Sequence, residues 1–202
     1  MIYTLQLPKP SDDLINLVKS IALDRPINVS SRNWHSSIQG PDINCAAGDF
    51  FSNDNITLMA KEEFQSLFNK RINATIGVIH NVNPLALASY PPHTDRVRTT
   101  SINFYIDLGG DNVSTVFYDR QDLISDTVGG NVLPYKEVSA QQEYFFKANT
   151  WYLMNSRNFH SVENIKTTRI IFGLSFLNTS VEELIKGLAE SVGFEPTHRY
   201  SQ

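Results

Sequence analysis

The sequence predicts a mainly β protein, a sandwich or barrel of antiparallel strands buttressed by flanking helices. Three observations point there. Between residues 72 and 178, apolar and polar positions alternate in short runs of strand length. Turn-forming stretches such as Gly109-Gly110-Asp111-Asn112 and Gly129-Gly130-Asn131 separate those runs. On both sides of them lie segments of helical apolar spacing, and such helices bury their apolar stripe against a sheet. No repeat, low-complexity tract or Pro/Gly/Ser-rich linker divides the chain, so residues 1–202 are expected to form a single domain with its β core at about 72–178.

In chain order, residues 2–7 read as a short strand. Ser11 is placed to cap a helix in SDDLINLVKSIAL, with Asp12 and Asp13 in its first turn and Leu14, Ile15, Leu17, Val18 and Ile21 at helical spacing. A second helix is expected in MAKEEFQSLFNKR, residues 59–71, with Phe64, Leu67 and Phe68 as its buried stripe. The strand-like runs follow: NATIGVIH, TTSINFYIDL, VSTVFYD, EVSAQQEYFF, TWYLMN, FHSV and TTRIIFGLSFL. VEELIKGLAESVG then closes the pattern as a third helix after Thr179 and Ser180.

Composition narrows the function classes. The chain is 41% hydrophobic and 19% charged, with a formal net charge of −4, so nothing in its overall charge indicates nucleic acid or an anionic membrane as partner. No apolar run approaches the roughly 20 residues of a membrane span, and the first residues have neither a basic start nor a long apolar stretch; a cytoplasmic location is the expectation. Cys45 is the single cysteine, which excludes an internal disulfide, and no activating partner stands near it in sequence.

The chemistry centres on PPHTDRVRTTSINFYI, residues 91–106. In extended backbone, residues two apart face the same side, so His93 and Asp95 direct an imidazole and a carboxylate at one point. His160, where two strand-like runs meet, is the candidate third ligand. Two histidines and a carboxylate form the facial set that suits non-haem Fe(II) and leaves coordination positions open. Arg169 lies in TTRIIFGLSF, where Ile171, Gly173 and Ser175 share its face and Ile170, Phe172, Leu174 and Phe176 form an apolar opposite face. An arginine on a buried strand needs an anion, and its planar fork fits a carboxylate.

With His93-x-Asp95, His160 and Arg169 in that order and β-rich sequence between them, the chain resembles the 2-oxoglutarate and Fe(II)-dependent oxygenases over about residues 75–178. INFYI and WYLMNS…HSVEN look most like the prolyl- and aspartyl/asparaginyl-hydroxylase branch. The resemblance implies a double-stranded β-helix, a jelly-roll or cupin-like barrel. It implies iron held by His93, Asp95 and His160, with Arg169 binding the far carboxylate of 2-oxoglutarate. The implied activity is a dioxygenase consuming O2 and 2-oxoglutarate, releasing succinate and CO2, and hydroxylating a small molecule or a protein side chain. Asp95 argues against the related halogenases, which lack this carboxylate. Many members carry Ser or Thr two residues after the arginine, where this chain has Ile171. The complementary hydrogen bond is then sought from Tyr90, Asn103, Tyr105 or Ser175, with Asn103 and Tyr105 facing the interior if Ile102, Phe104 and Ile106 pack outside.

Several positions carry two readings. Arg96 and Arg98 either meet an acidic group of the substrate or co-substrate or are solvated strand-edge charges. His80 either lines the cavity or is a hydrogen-bonded core histidine, and His35, beside Trp34, lies either in a lid or in a surface loop. His198 belongs to a solvated tail. Residues 119–131 form either a loop near the site or a surface hairpin connection. Substrate specificity is expected to reside in residues 31–57, 83–92 and 119–134. The competing function is a cupin-like protein that binds metal without oxidation, and Arg169 separates the two, because such a barrel has no need of an inward arginine.

Overall fold

The computed structural model describes residues 2–95, 100–121, 132–176 and 179–192. Their order is β1 (Ile2–Leu5), α1 (Asp12–Asp24), α2 (Val29–Gln39), β2 (Ala47–Phe51), α3 (Asp54–Phe64), β3 (Asn73–His80), β4 (Ala88–His93), β5 (Thr100–Leu108), β6 (Ser114–Gln121), β7 (Ala140–Tyr144), β8 (Trp151–Asn155), β9 (Asn158–Ile165), β10 (Thr168–Phe176) and α4 (Val181–Val192).

The pairing is nested. β6 pairs with β7, β5 with β8, β4 with β9 and β3 with β10, all antiparallel. This is one long double-stranded ribbon turned back on itself. Successive ribbon segments alternate between a six-stranded sheet, β1-β8-β5-β10-β3-β2, and a four-stranded sheet, β4-β9-β6-β7. That arrangement is the double-stranded β-helix, or jelly roll. β1 and β2 extend the large sheet at its two edges.

Side-chain alternation assigns the faces. Ile170, Phe172, Leu174 and Phe176 of β10, with Ile102, Phe104 and Ile106 of β5, face outward into one core cluster. Helices α1, α3 and α4 cover that face through Leu14, Val18, Ile56, Phe64, Leu184 and Leu188. Emptying a site such as that of Phe172 costs about 3–5 kcal/mol. The opposite face holds Tyr105, Tyr152, Met154 and Ile171 inside the barrel.

Ser11 caps α1 as expected, its Oγ accepting the Leu14 amide at 3.2 Å. The second predicted helix is displaced: α3 begins at Asp54, capped by Asn53, and ends at Phe64 in a single 3-10 turn over Gln65–Leu67. Its buried residues are Ile56, Ala60 and Phe64, whereas Phe68 is buried beyond the helix and Leu67 only partly. Helix α2 and strands β2 and β4 are additional to the sequence expectation. Arg96, Arg98, His198 and residues 122–131 lie outside the described residues. The first three residues of the expected 119–131 loop instead continue β6. No helix among the described residues is long and apolar enough to cross a membrane.

Candidate metal centre

The pairing of β4 with β9 sets His93 directly opposite His160. β4 tolerates Pro91 and Pro92 because it is an edge strand, where a missing N–H leaves no ladder bond unmade. The Pro91 carbonyl accepts from His93 Nδ1 at 2.8 Å, and the Asn158 carbonyl accepts from His160 Nδ1 at 2.9 Å. A carbonyl oxygen only accepts, so each Nδ1 carries the proton and each Nε2 presents a lone pair. Asp95 follows β4, its amide donating to Ser156 O at 3.0 Å.

The two imidazole centroids are 4.4 Å apart, and His93 Nε2 lies 4.0 Å from Asp95 Oδ1. One donor atom from each of His93, Asp95 and His160 lies within 4.8 Å of the others. Metal bonds of about 2.1 Å at right angles place donors about 3 Å apart, so the three close in by roughly 1–2 Å around an ion. Burial, and then the neighbouring His160, push the His93 pKa down to about 3, which keeps its imidazole neutral and able to ligate. The donor set therefore fits a divalent transition metal. Around it, Tyr90 meets the His93 ring edge-on at 4.7 Å, and His35 of α2 meets Tyr90 at 4.5 Å. Phe117 stacks on His160 at 5.6 Å.

The triad opens onto a cavity also lined by Asn103, Tyr105, Thr115, Met154 and Arg169. Arg169 is 1% exposed. Its guanidinium sits over the Tyr105 ring at 4.7 Å, and Nη2 donates to Thr115 Oγ1 at 3.4 Å. Nε and Nη1 have no hydrogen-bond partner, and no ion pair reaches the guanidinium among the described residues. Burial disfavours its charge, against support from Tyr105. A buried cation without an anion is costly by several kcal/mol, and its open donors point to an anionic ligand. Asn103 Oδ1 is likewise unpartnered, while Asn103 Nδ2 donates to Met154 Sδ at 3.4 Å. The cavity volume is about 20 Å³, room for one water molecule, so a larger ligand enters by displacing side chains, of which the unbranched Met154 is the most compliant.

Of the positions read from sequence, His93, Asp95, His160, Arg169, Asn103 and Tyr105 share this cavity. Ser175 and Tyr90 are not among its lining residues. Ser175 is six positions along β10 from Arg169, about 20 Å at strand rise, and its hydroxyl stands 3.5 Å from that of Thr75. Tyr90 supports His93 from behind. His80 Nδ1 pairs with Thr168 Oγ1 at 3.0 Å and is absent from the cavity wall. His35 is buried in α2, neither lid nor surface loop. Cys45 is wholly buried, and burial raises its thiol pKa, which suits packing and not nucleophilic attack. Sequence reasoning missed Thr115, the hydroxyl beside Arg169. Its signal was alternation with Phe117, which shares the inward face of β6 opposite Val162 and His160.

No family model and no curated protein matches the chain. Among solved structures, it is similar to a Pseudomonas putida prolyl-4-hydroxylase at 12% identity and TM-score 0.41, covering 88% of this chain and 92% of that one. It is also similar to a 2OG-Fe(II) oxygenase family oxidoreductase from Burkholderia pseudomallei (11%, TM-score 0.33, 63% and 53% covered). A cupin domain from Bordetella pertussis matches at 10% identity and TM-score 0.33, with 67% and 97% covered.

Proposed function

We propose that this chain is an Fe(II)- and 2-oxoglutarate-dependent dioxygenase that hydroxylates a small molecule or a protein side chain. The observation that carries the reading is Arg169: a buried guanidinium, without a carboxylate partner among the described residues, in the same cavity as two histidines and an aspartate. A metal-binding barrel without a co-substrate gains nothing from that charge, whereas a dicarboxylate satisfies it.

His93, Asp95 and His160 would hold the iron, which supplies the site for O2 activation and for chelation of the co-substrate's keto-acid end. Arg169 binds the distal carboxylate and orients the co-substrate, and Thr115, reaching across from β6, stands where Ile171 leaves the arginine without an adjacent hydroxyl. Asn103 offers its amide to the same ligand once Met154 moves aside. Ile79, Val162 and Ile171 supply the apolar part of the wall beside it. The products would be succinate, CO2 and the hydroxylated substrate.

An anaerobic titration of metal-free protein with Fe(II) and then 2-oxoglutarate tests this reading. The visible charge-transfer band of the chelate is expected to saturate at one equivalent. Iron binding without the band would reject the dioxygenase reading in favour of a metal-binding barrel.

A further inference from the structure

We infer that Gln39, Tyr135 and Glu163 hold a strap along the Pro92–His93 end of β4 and thereby position His93 for metal; the inference rests on the metal reading above. β4 is held at Ser89, whose carbonyl accepts the Ala46 amide and whose amide donates to Asn44 O, both at 2.9 Å, but its end from Pro91 to His93 is loose. It lies at a sheet edge, contains two prolines, and its register with β9 shifts twice between Ala88 and His93. Yet it carries His93 and leads into Asp95, and a ligand strand that wanders loses affinity.

The chain returns to that edge just before β7. Val132 forms an antiparallel bridge with His93, and the Leu133 amide donates to Pro92 O at 2.9 Å. His93 is thus flanked by His160 on one side and the strap on the other. Two residues of pairing are weak alone, and two clamps reinforce them. Gln39, the last residue of α2, uses both ends of its amide: Nε2 donates to Leu133 O at 2.7 Å, and Oε1 accepts the Tyr135 amide at 3.0 Å. The reversed amide would set two donors face to face, so the clamp is specific. Tyr135 then donates its hydroxyl to Glu163 Oε1 at 2.7 Å. Burial, and then Glu163, hold that phenol's pKa far above its ordinary value, so it remains a donor.

Glu163 joins the strap to both ligand strands. Its carboxylate also accepts from Ser89 of β4 at 2.6 Å and from Ser161 of β9, the neighbour of His160. Charge-assisted hydrogen bonds from three places meet on one group behind the metal centre. These residues act through the backbone of β4, so they are positioning residues for the metal site.

The test is Co(II) titration of wild type, Tyr135→Phe and Gln39→Ala at a temperature well below each thermal midpoint, with hydrogen exchange at the Leu133 amide measured with and without Co(II). Tyr135→Phe, which loses one hydrogen bond, is expected to bind Co(II) about threefold to tenfold more weakly, and Gln39→Ala, which loses two, at least as much more weakly. By reciprocity, saturating Co(II) should slow Leu133 exchange in wild type, a measurement that needs no variant. A merely structural contact would lower the thermal midpoint and leave both readouts unmoved. Unchanged affinities together with metal-independent exchange overturn the strap's role and leave the metal centre standing. Failure of the wild type to bind Co(II) overturns the metal reading itself.

Discussion

Replacing Arg169 with methionine should separate a ligand-binding charge from a structural one. The guanidinium is buried, stacked on Tyr105 and bonded to Thr115 at 3.4 Å. An effective desolvation penalty of several kcal/mol is offset by about 1–2 kcal/mol from the ring and the hydroxyl. Methionine nearly matches its apolar stem, so Arg169→Met should stabilise the ligand-free protein by about 1–3 kcal/mol. For a domain of this length that is a rise in Tm of roughly 2–12 °C. The same change removes a bidentate charge-assisted contact worth about 3 kcal/mol, so 2-oxoglutarate affinity should fall about 100-fold or more while Fe(II) affinity holds. Thermal melts of both proteins without ligand, followed by anaerobic co-substrate titration, provide the assay. In wild type, added 2-oxoglutarate should raise Tm by mass action. A ligand-free Arg169→Met protein destabilised by more than about 2 kcal/mol, with co-substrate affinity intact, would refute the reasoning, because the arginine would then be a structural member satisfied within the protein.

His93→Ala and His160→Ala should each abolish Fe(II) binding, and undiminished affinity by direct titration would remove that histidine from the ligand set. Thr115→Val, a near-isosteric change, should weaken 2-oxoglutarate about threefold to tenfold and spare iron, read in the same titration. Gly48→Ala would place a Cβ 2.3 Å from Tyr90 Cε2 and displace the ring that packs on His93. A loss of about 1–3 kcal/mol in urea unfolding, with weaker metal binding, is expected. His35 titrates near 4 because burial disfavours its charged form, so between about pH 6.5 and 4 the unfolded chain binds a proton that the folded chain refuses. Its contribution is present above pH 6.5 and declines on acidification, by about 3 kcal/mol at pH 4. The fall of the urea midpoint across that range should be shallower in His35→Phe, the remaining slope coming from His93, which burial likewise holds neutral.

Legibility in the sequence followed the strength of the local pattern. β3 coincides with NATIGVIH, and in β10 the alternation that sent Ile170, Phe172, Leu174 and Phe176 to one face and Arg169 to the other is the alternation of the structure. Asn103 and Tyr105 face inward by the same rule. α2 was illegible because VSSRNWHSSIQ buries little beyond His35, so the helix is specified by packing on β2 and β4 and by the Asn28 cap. β4 was hidden by its paired prolines, which read as a turn until the sheet edge that accommodates them is known. The start of α3 was missed although Asn53 supplies an N-cap, because its apolar stripe of Ile56, Ala60 and Phe64 is thin. Thr115, Gln39 and Glu163 act across distances that no local pattern encodes.

The nested pairing has a kinetic consequence. His93 and His160 face each other only once β4 has paired with β9, and that pairing is enclosed by the later closure of β3 on β10. Zipping from the β6–β7 end meets loop-closure entropy that grows with each outer pair, which predisposes such a topology to slow folding. The three candidate ligands are thus brought together only by a long-range pairing, and a chain released before residue 158 carries His93 and Asp95 without His160. On the metal reading, acquisition of metal would report that β4 has paired with β9.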